Sequence, residues 1–292
     1  MKGPSEMGKL LPDQLKELWR CVDRGQLTRE EFAREQERLL GGYRERWEAA
    51  LLTGGHTDLE SSLIGELALY FGHDESEHTR LQCSDALANV KGEWHKAVDP
   101  GDRRSVERFY EESRAMIYEL VWWHTLCEDT SPLAYVTALH FAELHGCRTT
   151  LDFGAGVGSG GIVFTRNGLK VTLADISTSM LDFSRWRFNL RGLEGEFTDL
   201  KTDTLPPGAY DLVVAMDVFE HLVDPVRTVD DLWRAMKPGG YLFGRFHAEL
   251  DEDRPHHIVR DFAPTLERLR TLGFEECWRD EWLWGHQAFR KT

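Results

Sequence analysis

The fold is decided by one short stretch, Asp152-Phe153-Gly154-Ala155-Gly156-Val157-Gly158, which continues the strand-forming run 149–151. Glycines in such a position let the backbone turn tightly and let a ligand approach the main chain. Asp175 stands 23 residues after Asp152 (175 − 152 = 23), at the end of the next predicted strand. A carboxylate there can accept hydrogen bonds from the two hydroxyls of a ribose. The pattern therefore predicts a strand, a ligand-binding turn and a helix.

Outward from this stretch, the second half of the chain alternates between two kinds of segment. The runs TTLDFGA, KVTLADI, YDLVVAMD and GYLFGRF are typical of buried strands. The segments SMLDFSRWRFNLRG and DPVRTVDDLWRAM between them are typical of amphipathic helices. Alternation of this kind predicts an α/β domain over residues 147–292, with a parallel sheet and helices on both faces.

The first half, residues 1–146, carries helix signals instead and is predicted to be a helical region that covers the substrate. Thr28 and Glu31 form a capping-box pattern that opens a helical run to Leu52. Asp58 is predicted to cap a second helix that ends at Gly72. A further helical stretch is predicted for residues 75–97 and an apolar helical stripe for residues 106–124.

Composition excludes several classes of function. The 292 residues include 50 acidic and 35 basic side chains, for a formal net charge of −15. Such a surplus disfavours binding to nucleic acid and to an anionic membrane surface. The start of the chain, MKGPSEMGKLLPD, does not resemble a signal peptide, and the five cysteines have no disulfide or zinc-knuckle spacing. These features predict a cytoplasmic protein without nucleic-acid or membrane partners and without a bound metal.

Two classes of ligand fit the glycine turn itself. Gly156, Gly158 and Gly161 satisfy the G-x-G-x-x-G pattern of dinucleotide binding, which would suit an NAD-dependent oxidoreductase. A pyrophosphate prefers an environment that favours anions, however, and Asp152 lies two residues before Gly154, the first glycine of the turn. That carboxylate suits a cationic ligand that carries an ammonium and a sulfonium.

The glycine turn, the following stretch 171–177 (VTLADIS) and three later stretches resemble the class I, Rossmann-like methyltransferases that depend on S-adenosylmethionine (SAM). The later stretches are Thr198-Asp199-Leu200, residues 210–222 (YDLVVAMDVFEHL) and Lys237-Pro238-Gly239-Gly240. The resemblance covers roughly residues 148–292 and implies that SAM is the co-substrate. The helical first half resembles no family that we can name.

The resemblance implies a position for each matched residue around SAM. Asp152 would reach the ammonium, Asp175 would hold the ribose hydroxyls, and Asp199 would accept from the adenine amino group beside the Leu200 amide. The methionine part of SAM would contact Gly154, Ala155 and Gly156. The adenine would lie between Ile176 and Met180, and the transferred group would lie near Met216 and Asp217.

Methyl transfer demands little of side chains, because the sulfonium supplies the driving force and the protein aligns the reactants and excludes water. A general base is needed only if the acceptor arrives protonated. Candidate bases are Asp217, His221, His247 and the pair His256–His257. The run 245–257 is predicted to be a mobile loop over the acceptor rather than a metal site.

Aromatic residues before the sheet supply further candidates. In the resembled family a tyrosine from a preceding helix often lies over the SAM carboxylate or sulfonium, where a ring face favours a cation. Tyr110 and Tyr118 are the candidates, and the alternative is that this stripe is core. The first 50 residues would form a cap on the sheet, an interaction module or a contact within a homodimer.

The favoured function is transfer of the SAM methyl group, by in-line displacement, to a small-molecule acceptor. A second enzyme function uses the same fold but attacks the aminopropyl arm of SAM and releases methylthioadenosine. The NAD-dependent oxidoreductase and a non-catalytic SAM-fold subunit are further alternatives. The methylated atom, the acceptor and the oligomeric state remain open at this point.

Overall fold

The computed structural model describes residues 10–248 and 252–292. Within residues 10–146 it contains helices and no strand, as the sequence predicts. The helices of this half are α1 Asp13–Asp23, α2 Arg29–Leu39, α3 Gly41–Leu51, α4 Leu59–Phe71, α5 Ser76–Ser84, α6 Ala86–Ala97, α7 Arg103–Glu112, α8 Ala115–His124 and α9 Ala134–His145.

The local signals place the starts of two helices correctly but miss three breaks, of which one divides the stripe 106–124 at Ser113 and Arg114, between α7 and α8. Thr28 caps α2 through the reciprocal hydrogen bonds of a capping box with Glu31, and Asp58 caps α4. The helical run predicted from Thr28 to Leu52 is divided into α2 and α3, because the chain breaks at Leu40, before two glycines that favour helix poorly. The stretch 75–97 is likewise divided, at Asp85.

The second half forms one seven-stranded sheet in the order β3-β2-β1-β4-β5-β7-β6. Its strands are β1 Thr149–Phe153, β2 Lys170–Asp175, β3 Glu196–Asp199, β4 Tyr210–Ala215, β5 Met236–Arg245, β6 Phe274–Arg279 and β7 His286–Lys291. Strands β1 to β5 pair in parallel, whereas β7 lies antiparallel between β5 and β6. The Rossmann-like prediction is confirmed, with the correction that the antiparallel strand β7 makes the sheet mixed.

Helices cover both faces of this sheet, as predicted. They are α10 Ser159–Arg166, α11 Thr178–Leu190, α12 Pro225–Ala235 and α13 Ala263–Thr271. Alternate residues of a strand point to opposite faces, and in β4 Leu212 and Val214 join one hydrophobic cluster while Val213 and Ala215 join the other. The first cluster also contains the apolar side chains of the helical half, so this half packs on one face of the sheet.

A buried ion pair joins the two halves. Arg187 of α11 is fully buried, and its Nε donates to Glu66 Oε2 of α4 at 2.7 Å. Its Nη1 donates to the carbonyl of Val157 in the glycine turn at 2.6 Å. Arg191 donates to the same Glu66 carboxylate and to the Leu51 carbonyl. The two halves on either side of the predicted boundary, residues 146–149, therefore share one continuous core.

None of the helices in the described ranges combines the length and the apolar character needed to span a membrane.

Candidate active site

The turn after β1 needs its glycines for backbone geometry. Gly154, Gly156 and Gly158 have positive φ angles of 69°, 51° and 76°, a region that other residues rarely adopt. A Cβ on Gly154 would stand 2.6 Å from Val218 Cγ2. The turn can therefore approach a ligand closely, because residues 154–157 line the cleft described below, and Gly158 leads directly into α10.

Asp175 ends β2 beside this turn and holds it in place. Its Oδ2 accepts from the Gly156 amide at 2.8 Å, and its Oδ1 accepts from the Ser177 amide at 2.9 Å. Burial raises the pKa of Asp175, an effect that these amides oppose. Each carboxylate oxygen can accept a second hydrogen bond, so the pair of ribose hydroxyls predicted from the sequence has acceptors available.

The structure gathers most of the predicted residues around one narrow cleft of about 130 Å³. Leu120 narrows it, because Leu120 Cδ1 lies 2.9 Å from where a Cβ of Gly156 would stand. The predicted residues that line this cleft are Tyr110, Gly154, Ala155, Gly156, Asp175, Ile176, Met180, Leu200, Met216, Asp217 and His221.

Asp152 is not among the residues that line the cleft. It lies within β1, completely buried, and neither carboxylate oxygen accepts a well-formed hydrogen bond from the described residues; the Gly161 amide makes only a weaker electrostatic contact. Burial raises the pKa of Asp152 to about 7, while the Gly161 amide lowers it and Asp175 raises it further. A buried carboxyl without a partner is costly, and an ammonium reached directly or through water would satisfy it. This orphaned group fits the amino end of SAM.

Two further residues expected to contact SAM have other partners. Asp199 accepts from the Thr178 hydroxyl at 3.0 Å and from the Lys201 amide at 2.9 Å, outside the cleft lining. Lys201 Nζ also donates to Glu111 Oε2 at 2.6 Å. Asp199, at the end of β3, therefore belongs to a polar network that links this strand to α7 and α11. The Leu200 amide donates to the Asp175 carbonyl at 2.9 Å, which leaves only its side chain facing the cleft.

Tyr118 and His247 lie away from the cleft. A helix turns about 100° per residue, so Met116 and Leu120 of α8 can face the cleft while Tyr118 points to the opposite side. There the Tyr118 ring stacks on Phe71, with centroids 5.3 Å apart. His247 is exposed, because the chain leaves the sheet after β5. Residues 249–251 of the predicted acceptor loop lie outside the described residues.

A larger cavity of about 760 Å³ adjoins the cleft. The two share Met116, Leu120, Trp123, Asp217 and His221. Its outer wall combines the first helices with the turn between β6 and β7, through Trp19, Phe32, Trp282, Leu283 and Trp284. The sequence did not reveal this turn. Asp280 builds it, because its carboxylate accepts hydrogen bonds from four successive amides, those of residues 282–285.

Asp217 and His221 stand where the two cavities meet. Asp217 has a positive φ of 47°, and its Oδ1 accepts from Arg245 Nη1 at 3.1 Å. His221 Nδ1 lies 3.0 Å from the Tyr110 hydroxyl. Burial lowers the pKa of His221 to about 4, so its imidazole is neutral at neutral pH and holds a transferred proton weakly.

Glu119 is a candidate proton acceptor that the sequence did not indicate. It lines the larger cavity, and its Oε1 lies 3.9 Å from Arg254 Nη1. Burial raises the pKa of Glu119 to about 7 against the opposing charge of Arg254. A carboxyl with this pKa can exchange a proton near neutral pH.

Tyr135 is a second residue that sequence reasoning missed, because it lies in an apolar helical run that is typical of core. Its ring lines the cleft and packs directly on Gly160, where a Cβ would overlap it. Burial raises the pKa of Tyr135 well above its usual value, and the charges of Asp152, Asp217 and Asp175 raise it further. The phenol is therefore protonated and can donate a hydrogen bond.

Residues 151–242 match the methyltransferase domain family. The chain is also similar to the ubiquinone biosynthesis O-methyltransferases of Paracidovorax citrulli, at 29% identity over 135 residues, and Nitrosococcus oceani, at 31% over 133 residues. Each match covers 42% of this chain and 55% of the relative, so the chain spans about half the length of the curated relatives it matches.

Among solved structures, a SAM-dependent methyltransferase from Leishmania major superposes with a TM-score of 0.50 at 21% identity. The superposition covers 68% of this chain and 88% of that protein, and it shows a shared fold. Residues 151–242 are therefore a methyltransferase domain, and these matches confirm the resemblance to class I SAM-dependent methyltransferases that the glycine turn and the later stretches indicate.

Proposed function

We propose that this protein is an enzyme that transfers the methyl group of SAM to a small molecule bound in the larger cavity. The observation that carries this proposal is the junction of the two cavities at Asp217 and His221. A donor in the cleft and an acceptor in the larger cavity would face each other there. The volume of about 760 Å³ lies within the range of sites for small molecules.

The residues of the cleft would bind and orient SAM, whose sulfonium activates the methyl group for in-line displacement. Asp175 would hold the ribose, Asp152 the ammonium, and the apolar side chains of Ile176 and Met180 the adenine. Leu120 must move aside, since it partly fills the cleft. Helices α7 and α8 close the cleft from the side opposite the sheet and would exclude water from the reacting atoms.

The larger cavity favours an acceptor with apolar or aromatic surface. Trp19, Trp123, Trp282 and Trp284 line it together with Phe32. An acceptor that arrives protonated could transfer its proton to Glu119, whose pKa lies near 7. The acceptors named for the curated relatives belong to those proteins, and the methylated atom of this protein's acceptor is for experiment to identify.

Analysis of the nucleoside product tests the proposed function. We expect purified full-length protein, incubated with SAM and panels of phenols, amines and thiols, to release S-adenosylhomocysteine only when an acceptor is present. Mass spectrometry distinguishes it from methylthioadenosine. Methylthioadenosine above the enzyme-free background, formed without an acceptor, would instead assign the aminopropyl chemistry to this fold.

Substitution of Tyr135 by phenylalanine should weaken SAM binding about ten-fold, which corresponds to about 1.4 kcal/mol, the contribution of one buried hydrogen bond. The hydroxyl is a neutral donor near the methionine end of the cleft, where the SAM carboxylate would lie. Isothermal titration calorimetry measures the change. Tyr118→Phe is the matched control, since Tyr118 lies outside the cleft and its variant should bind normally. Equal affinities for the two variants would remove Tyr135 from the site.

A further inference from the structure

Three imidazoles converge in the wall of the larger cavity. His221 belongs to the short helical turn after β4, whereas His256 and His257 belong to the segment between β5 and α13. One ring nitrogen from each residue lies within 4.8 Å of the others. The rings of His221 and His256 are parallel, with centroids 5.3 Å apart, and the His257 ring is nearly perpendicular to both. Within residues 10–248 and 252–292, this is the one cluster of three or more His, Cys, Asp or Glu ligands with such spacing.

His256 supplies a second observation that points to a ligand. Its side chain is 2% exposed, and its Nδ1 is buried without a hydrogen-bond partner among the described residues. Ring stacking accounts for the packing of an imidazole but leaves such a nitrogen unsatisfied. Buried polar atoms are normally paired, so this nitrogen calls for a partner that residues 10–248 and 252–292 do not provide.

His221 has the orientation of a metal ligand. Its Nδ1 lies 3.1 Å from the main-chain carbonyl of His256, and a proton on Nδ1 would be donated to that oxygen. The lone pair then lies on Nε2. Histidine ligands of metals commonly donate their second ring N–H to a carbonyl or carboxylate in this manner, which fixes the tautomer and the ring orientation.

The electrostatic environment also suits a cation held by neutral ligands. Histidine binds a metal as the neutral imidazole, so these ligands add no charge of their own to the site. Arg254 and Arg245 are nearby charges that oppose a cation, and they pair with Glu119 and Asp217, respectively. Asp217 and Glu220 add negative charge to the same cavity.

We propose that His221, His256 and His257 form a site for a divalent transition metal, best suited to Zn²⁺, in the wall of the larger cavity. Imidazole is a good ligand for Zn²⁺, and three histidines with one open position form a typical catalytic zinc site. Zinc–nitrogen bonds of about 2.0–2.1 Å bring tetrahedral ligand nitrogens to roughly 3.4 Å apart, so small side-chain rotations must close the cluster. This site departs from the expectation, based on the sequence, that the run 245–257 holds no metal.

The open position would face the larger cavity, which all three histidines line. A heteroatom of the acceptor bound there would lose its proton more readily, because the metal stabilises the resulting anion. The favoured acceptor class is then a molecule with an ionisable hydroxyl or thiol. This last step rests on the proposed methyl transfer, whereas the metal site itself does not.

The test uses full-length protein stripped of metal with a chelator and titrated with Co²⁺, whose visible absorption reports the ligand geometry, and with Zn²⁺ by calorimetry. We expect saturable binding by the wild type and affinity lower by about 100-fold or more in His256→Ala and His257→Ala, since each lacks a ligand. His247→Ala is the matched control, because His247 is exposed in the same segment and should be dispensable.

His256→Phe keeps the aromatic packing but removes both nitrogens, so it tests the ligand even if the alanine variant unfolds. Absence of saturable Co²⁺ and Zn²⁺ binding by the wild type would overturn the proposal, as would unchanged affinity in folded His256→Phe. Methyl transfer is not measured in this experiment. Failure of the metal site and failure of the proposed function are therefore separate results.

Discussion

Replacement of Glu66 by alanine is expected to lower the free energy of unfolding by about 3–5 kcal/mol, as is typical when one partner of a buried ion pair is removed. Glu66 and Arg187 are both almost completely buried, and Arg191 donates to the same carboxylate. The variant would leave two guanidinium groups in the core without their acid. Chemical denaturation followed by circular dichroism measures the change.

Glu60→Ala provides the matched control on the same helix. Glu60 pairs with Arg80 at 2.8 Å, but a third or more of each side chain is exposed to solvent. Exposed pairs contribute about 0–1 kcal/mol, so this variant should unfold close to the wild type. Equal losses of stability in the two variants would contradict the role assigned to Glu66.

The same ion pair predicts a dependence on pH. Burial alone would raise the pKa of Glu66, but the charges and hydrogen bonds of Arg187 and Arg191 outweigh it, so the pKa is lowered in the folded protein. A lowered pKa stabilises the fold at pH values above the pKa of the unfolded chain, and this stabilisation is lost as the pH falls through the folded-state value. The loss of folding stability at acidic pH that protonation of Glu66 causes should therefore be absent in Glu66→Gln.

Substitution of Asp175 by alanine is expected to weaken SAM binding by about 100-fold or more. Two hydrogen bonds from ribose hydroxyls to an ionised carboxylate contribute about 1.5–3 kcal/mol each, and ten-fold in affinity corresponds to about 1.4 kcal/mol. The variant also removes the acceptor of the Gly156 and Ser177 amides, which shape the turn. Titration calorimetry with SAM measures the loss.

Asp182→Ala is the control for Asp175. Asp182 lies on the exposed face of α11, seven residues later in the chain (182 − 175 = 7), and pairs with Arg185. Its removal should leave SAM affinity unchanged. If Asp175→Ala bound SAM within two-fold of the wild type while Asp182→Ala did the same, the nucleoside would bind elsewhere and the assignment of the cleft would fail.

The parts of the site that were predictable depend on local backbone requirements. The turn at Gly154, Gly156 and Gly158 needs positive φ angles, and this need is visible in the residue types. The position of Asp175 was predictable because it ends β2, which pairs in parallel with β1, the strand that leads into the glycine turn. The turn and Asp175 lie within 23 residues of each other along the chain, so the sequence alone reveals them.

The parts that were not predictable depend on packing between distant segments. Tyr118 faces away from the cleft because the rotation of α8 is set by its contacts with α5 and α6, and an apolar stripe does not fix that rotation. The wall formed by Trp282 and Trp284 reaches the larger cavity because β7 inserts antiparallel beside β5. The histidine cluster joins residues 35 positions apart, at a separation with no recognisable motif.

Arg187 contacts the glycine turn and the helical half with a single guanidinium group. An engineer who wished to move the acceptor cavity of this protein onto another methyltransferase could therefore not transplant the helical region as an independent module. The graft would have to carry α4 and α11 together, with Glu66 and both arginines. Without both arginines, Glu66 of the transplanted region would be buried without its partners.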